Sequence, residues 1–349
     1  MKKILSVFRT FEGYDESFFY SYLNELSCKG NIEFVNFDDT TFIQFQISSM
    51  QSRLARKLIR KKQVILFNEV IREYITIYKP DLFIFFKANY LESSTLELAK
   101  LKKVKVIGIY PDLEPNIHGS DYIKVLNLAD VLIHTKPNLA NYFNTLNNNS
   151  ICVNPFYSFR HLKKILPYNK AYGISFIGHH SVGKKDLIGE ISLNLDENIT
   201  IYGDRWKGKF DLDRNINVNN AAFGPPIYDI YRKSLFVLGL LTEKLDSFKD
   251  GDVLTARSVQ IPALGGLILH PRNKYSENFF GDRHEMLFSN IDEISIIHEN
   301  LLNDLNLRNE LFESQKTTIL EKGTQIEKLI NLIINDYEKC NYNNFNIYK

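Results

Sequence analysis

Short apolar runs recur along the chain with longer, helix-like stretches between them. A first series comprises Ile4–Phe8, Ile32–Phe37, Leu82–Phe86, Val104–Tyr110, Val131–His134 and Ile151–Val153. A second comprises Ile174–Gly178, Ile199–Gly203, Leu235–Leu241, Gly266–His270 and Met286–Phe288. Runs this short, rich in Ile, Val and Phe and without polar alternation, predict strands buried on both faces of a parallel sheet. Strand and helix alternating in two successive series predicts two doubly wound α/β domains. Pro155, Pro167 and Gly173 interrupt the pattern and mark a boundary. The expected domains are residues 1–165 and 170–325, followed by a closing segment, 326–349. After Phe288 the pattern is helical. Within Thr324–Glu338 it places Ile326, Leu329, Ile330, Ile333 and Tyr337 on one face. The tail from Cys340 is Asn-rich and expected to fray.

Composition narrows the class. The 349 residues are 44% hydrophobic and 24% charged, ordinary for a chain that buries a core, which excludes a disordered or collagen-like polymer. Lys and Arg number 43 against 41 Asp and Glu, a net charge of +2 that does not point to nucleic acid as the main partner. Cys28, Cys152 and Cys340 lie far apart with no CxxC pair, as expected of reduced structural thiols. MKKILSVFRTFEG is too short in apolar residues for a signal peptide, and no run approaches the roughly 18 to 20 residues of a membrane helix. The expected location is the cytoplasm. Residues 53–62 (RLARKLIRKK) carry six basic side chains, with Leu54, Leu58, Ile59, Ile65 and Leu66 at helical spacing. This reads either as a solvated helix packed on its domain by the Leu/Ile stripe or as a helix lying peripherally on an anionic membrane.

Candidate chemistry concentrates in residues 250–273, DGDVLTARSVQIPALGGLILHPRN. If Ala256–Ile261 is helical, Arg257 and Gln260 share a face. A guanidinium for phosphate and an amide for ribose hydroxyls, with Asp252 just upstream, suit a nucleoside diphosphate. Gly265-Gly266 before a buried strand would let backbone approach a ligand closely. A second stretch, Gly178 to Lys184, matches G-x-x-x-x-G-K, but Lys185 stands where a P-loop needs a magnesium-binding hydroxyl. His179-His180 has no partner at metal-ligand spacing, and Asp211-Leu-Asp213 matches D-x-D only formally. No metal site is expected.

Thr255, Arg257, Ile261, Pro262, Ala263, Gly265 and Gly266 resemble the signature of GT-B glycosyltransferases, most of all the CgeB-like (spore-maturation-protein-like) branch. Asn278-Phe-Phe-Gly-Asp-Arg-His-Glu resembles a further element of that branch, with Glu285 at its acidic position. The resemblance implies two Rossmann-like domains facing across a cleft, with a C-terminal helix crossing back to the first. It implies a retaining, metal-independent transferase with no cofactor, moving sugar from a nucleotide-diphosphate donor to a glycan or lipid-linked saccharide in cell-surface polysaccharide synthesis. On this pattern Gly178, His179 and Lys184 form the first turn of the donor domain, and Gly203 lies in a loop where a nucleobase rests. Lys79-Pro-Asp and Val106-Ile-Gly-Ile-Tyr-Pro-Asp resemble the acceptor-side domain, with Asp112 and His118 as candidate catalytic groups and Glu12 and Asp15 behind them. Two departures stand out. Gln260 replaces the second Glu of related retaining enzymes, and Asp252 is one methylene shorter than the first. A non-catalytic GT-B scaffold and a P-loop phosphotransferase are the competing readings.

Overall fold

The computed structural model describes residues 1–12, 15–43, 52–210, 215–241, 251–281 and 284–336. It divides into two compact units, Met1–Val153 with the segment from Glu327, and Asn154–Ile326.

Unit 1 carries strands β1 (Lys2–Val7), β2 (Ile32–Phe37), β3 (Leu82–Phe86), β4 (Lys105–Tyr110), β5 (Val131–His134) and β6 (Ser150–Cys152). They form one parallel sheet in the order β2-β1-β3-β4-β5-β6. Its helices are α1 (Glu16–Cys28), α2 (Asp39–Phe42), α3 (Arg53–Tyr78), α4 (Ser93–Leu101), α5 (Ser120–Leu128) and α6 (Ala140–Leu146). All five side chains of β3 are buried, as continuous apolar character demands of a strand covered on both faces.

Unit 2 contributes β7 (Phe156–Tyr157), β8 (Ile174–Ile177), β9 (Ile199–Tyr202), β10 (Ile216–Asn219), β11 (Phe236–Leu238), β12 (Ile268–Pro271), β13 (Leu287–Phe288) and β14 (Thr324–Gln325). Six of them make a second parallel sheet, β10-β9-β8-β11-β12-β13, while β7 and β14 pair apart from it. The helices are α7 (Val182–Asn194), α8 (Pro225–Lys233), α9 (Ala256–Ala263), α10 (Lys274–Phe280), α11 (Ile291–Asn303) and α12 (Leu305–Lys322). The last helix, α13 (Ile326–Asp336), clusters with unit 1 from Glu327 onward, and there Lys2 Nζ donates to Ile334 O. Tyr337 and the tail from Cys340 lie outside the described residues.

A buried cation locks unit 2. Arg308 on α12 is 1% exposed and donates to the carbonyls of Leu235, Leu166, Arg232 and Ser234 at 2.7–3.1 Å. Burial lowers its pKa to about 10. Three main-chain acceptors at the entry to β11 and that of Leu166, ahead of β8, are thus satisfied by one side chain, without a carboxylate.

The strand orders decide where ligands can sit. In each sheet the chain reverses its direction of winding once, between β1 and β3 in unit 1 and between β8 and β11 in unit 2. Loops diverge there and leave a crevice beyond the carboxyl ends of the strands.

Candidate functional site

At the unit 2 reversal the turns after β8 and β9 meet backbone to backbone. Gly178 N donates to Tyr202 O at 3.0 Å, and a Cβ on Gly203 would stand 1.9 Å from Gly178 O. No side chain fits at residue 203. Trp206 locks the arrangement: its Nε1 donates to Gly178 O at 2.8 Å, and its fully buried ring stacks on Phe210 and meets Phe176 and His180 edge-on. Beside it opens a cavity of about 690 Å³, whose lining includes Gly203, Asp204, Lys207, Asn217, Asn219 and Asn220.

Helix α9 delivers the positive charge. Thr255 is its N-cap, so the free N–H groups of its first turn face the carboxyl edge of the sheet. Arg257, in that turn, donates from Nη2 to Leu240 O at 2.6 Å, just past β11, and lies over the Phe176 ring at 5.9 Å. Its Nη1 is 3.3 Å from where a Cβ of Gly178 would be, and its Nε is buried without a hydrogen-bond partner. Burial lowers the Arg257 pKa, against the opposing influence of Tyr231 and Asp252. One cation therefore bridges both strands that flank the reversal.

A buried relay fixes this helix start. His270 Nδ1 lies 2.8 Å from Pro271 O, which can only accept, so Nδ1 carries the hydrogen and Nε2 accepts from the Ser258 hydroxyl at 2.9 Å. Ser258 Oγ in turn accepts from Thr255 N at 3.0 Å. Burial holds His270 neutral, with its pKa lowered to about 4.

The expected donor residues separate into two groups. Gly178, Gly203, Thr255 and Arg257 gather at the carboxyl edge. Lys184 is buried in the first turn of α7, and exposed His179 stands 3.7 Å from Asp204. Asp252 is close enough to raise the Arg257 pKa, and Gln260 follows one turn along α9. Gly265 and Gly266 lie elsewhere. Because α9 runs antiparallel to the strands, they reach the amino end of β12, the opposite edge of the sheet. A Cβ on Gly265 would stand 2.7 Å from both Lys164 O and the Arg232 side chain, and one on Gly266 would stand 2.9 Å from Tyr231. Their lack of a side chain serves helix-to-strand packing. Glu285 is exposed in the turn before β13. Asp211 and Asp213 fall outside the described residues. Among those described, no three His, Cys, Asp or Glu side chains gather to hold a metal.

Unit 1 places alternating charges at its own reversal. Arg9, past β1, makes a two-pronged bond to Asp39 at 2.8 and 3.1 Å and stands 3.6 Å from Glu16. Across the reversal Lys87, past β3, pairs with Asp112 past β4 at 2.9 Å. Lys87 and Ala88 both have left-handed backbones, φ 55° and 50°, a strain that fold packing must sustain. Burial pushes the Glu16 carboxyl up to about 8 although Arg9 and Lys87 pull it down. At Asp112 burial alone would raise the pKa, but Lys87 prevails and holds it below the usual range. His118 lies close enough to feel Asp112. Burial lowers its pKa, and its Nε2 is buried without a partner, as is the Tyr110 hydroxyl. Asp112 and His118 thus share one site. Arg9, Glu16 and Lys87 escaped the sequence reading, because strand order, not spacing, joins them to it.

Two doubly wound units with polar crevices at the points of reversal define a GT-B-type protein. Residues 184–332, most of unit 2 and part of α13, match the family model described as glycosyl transferase-like. No curated protein matches the chain in sequence. Solved structures of similar fold include apo OtsA, at 12% identity over 98% of this chain and 100% of that one, TM-score 0.62. An alpha-glucosyltransferase in complex with UDP and DNA matches at 13% identity over 96% and 100%, TM-score 0.57. A UDP-GlcNAc 2-epimerase from Neisseria meningitidis bound to UDP-GlcNAc matches at 11% identity over 95% and 99%, TM-score 0.54. The fold is therefore GT-B.

Proposed function

We propose that the protein is a glycosyltransferase that takes a sugar from a nucleotide-diphosphate donor held by unit 2. The observation that carries this reading is Arg257, a guanidinium without a partner for its Nε, placed beside the Gly178–Gly203 contact at the point of reversal. Such a group suits a diphosphate. Charge developing on the leaving group would be met by Arg257, Lys184 and the first turns of α7 and α9. Asp252 and Gln260 would contact ribose or phosphate, and the cavity beside Trp206 would take the base. Positive charge and main-chain dipoles at this site support a metal-independent reaction, and the resemblance of Asp252 and Gln260 to the paired Glu positions of related retaining enzymes favours retention of configuration. In unit 1, Asp112 and His118 would orient an acceptor saccharide hydroxyl and take its proton. The residues from Thr255 to Gly266 favour the CgeB-like branch and, with it, a glycan or lipid-linked acceptor in polysaccharide synthesis.

A thermal-shift series with UDP, GDP, CMP, ADP and ATP, each with EDTA and with magnesium, tests the donor site. The expected result is a shift with one diphosphate that survives EDTA and disappears in Arg257→Met, followed by turnover of the matching nucleotide sugar. A shift only with ATP and magnesium would instead support the P-loop reading. No shift with any nucleotide would support the non-catalytic scaffold.

A further inference from the structure

Helix α3 has two halves of opposite character. From Phe67 onward it is anchored: Phe67, Asn68, Ile71 and Ile75 are fully buried, and Asn68 bonds to Val64 O and Tyr90 O. Before Phe67 no described side chain of the helix is buried. Of the stripe expected to pack this half on its domain only Ile59 is half-buried, while Leu54 is 68%, Leu58 55%, Ile65 38% and Leu66 54% exposed. At 100° per residue, Leu54, Leu58 and Ile65 fall within one narrow sector, and Lys57, Lys61 and Lys62 border it. On the other side Ala55, Ile59, Gln63 and Val64 are only half-buried, a shallow packing that leaves the leucine surface open to a partner. Exposed leucines alone would fit many apolar partners. Leucines rimmed by lysines, whose stems can lie along an apolar surface while the ammonium reaches outward, fit the anionic face of a lipid bilayer.

We propose that the amino-terminal half of α3 docks unit 1 on an anionic lipid surface, with Leu54, Leu58 and Ile65 entering the headgroup boundary and the flanking lysines meeting lipid phosphates. The inference stands independently of the donor site. Flotation of the full chain with phosphatidylcholine vesicles, with and without phosphatidylglycerol, tests it. Binding is expected only with phosphatidylglycerol. The triple variant Lys57→Gln/Lys61→Gln/Lys62→Gln should lower partitioning on the order of a hundredfold, at about one kcal/mol per lysine. Leu54→Gln/Leu58→Gln should also release the protein, and neither variant should change the melting temperature, because all five side chains are exposed. Failure of the wild type to bind phosphatidylglycerol vesicles would overturn the proposal. So would retention of full binding by the leucine variant, or binding of heparin or nucleic acid without binding of vesicles.

Discussion

Glu16 offers the sharpest test of the charge arrangement in unit 1. Its carboxyl is 3% exposed and raised from 4.5 to about 8, since burial outweighs Arg9, which already holds Asp39 with both prongs, and the more distant Lys87. Asp39 and Asp15 add repulsion. The native state therefore binds one proton more than the unfolded chain between pH 4.5 and 8, and stability must fall as pH rises through that window. The penalty is absent below pH 4.5 and complete above pH 8. At about 1.4 kcal/mol per pH unit it reaches at most roughly 5 kcal/mol. Glu16→Gln keeps the shape and removes the ionisation. Urea unfolding at pH 5, 7 and 9, followed by far-UV circular dichroism, should show the variant matching the wild type at pH 5 and exceeding it by several kcal/mol at pH 9. Trp206, the one tryptophan, lies in unit 2, so its fluorescence serves as an internal control that should not move. A wild type that gains stability between pH 5 and 9, or a pH-independent difference, would refute the reasoning and show that pairing with Arg9 prevails over burial.

Other outcomes follow from the same contacts. Arg308→Met should destabilise unit 2 by on the order of 3 kcal/mol or more, because four carbonyls lose their donor, as Trp206 fluorescence in urea would report. Gly203→Ala should abolish the nucleotide-induced thermal shift and alter Trp206 emission, since its Cβ would displace the Gly178 carbonyl that Trp206 binds. His270, neutral and fully buried, has its pKa lowered to about 4. Its stabilisation is present above pH 6.5 and lost as pH falls toward 4, by up to roughly 3 kcal/mol. His270→Asn should lower stability at pH 7 and flatten that acid slope in urea titrations.

Much of the fold was legible as local pattern. The limits of β3 and β5 coincide with the runs Leu82–Phe86 and Val131–His134, every residue of which is buried, because a strand covered on both faces must be apolar nearly throughout. The pattern failed where burial is one-sided or brief. Ile216–Asn219, an edge strand, alternates apolar and Asn and leaves three of its four side chains exposed, and β7 and β14 are two residues each. The helical span of α9 was readable, and with it the shared face of Arg257 and Gln260.

The chain by itself determined which segments become strand or helix, since side-chain periodicity is a property of neighbouring residues. Only the tertiary structure decided which ends of those segments meet. It put Arg257 at the carboxyl edge and Gly265-Gly266, eight and nine residues on, at the amino edge, because α9 runs back against its sheet. It joined Arg9, Glu16, Lys87 and Asp112 across more than a hundred residues through the strand order β1-β3-β4. It also turned Leu54, Leu58, Ile65 and Leu66 of α3 outward, because that helix has fully buried side chains only from Phe67 onward. Local periodicity can state that a helix has an apolar face, but what covers that face depends on contacts between segments distant in the chain.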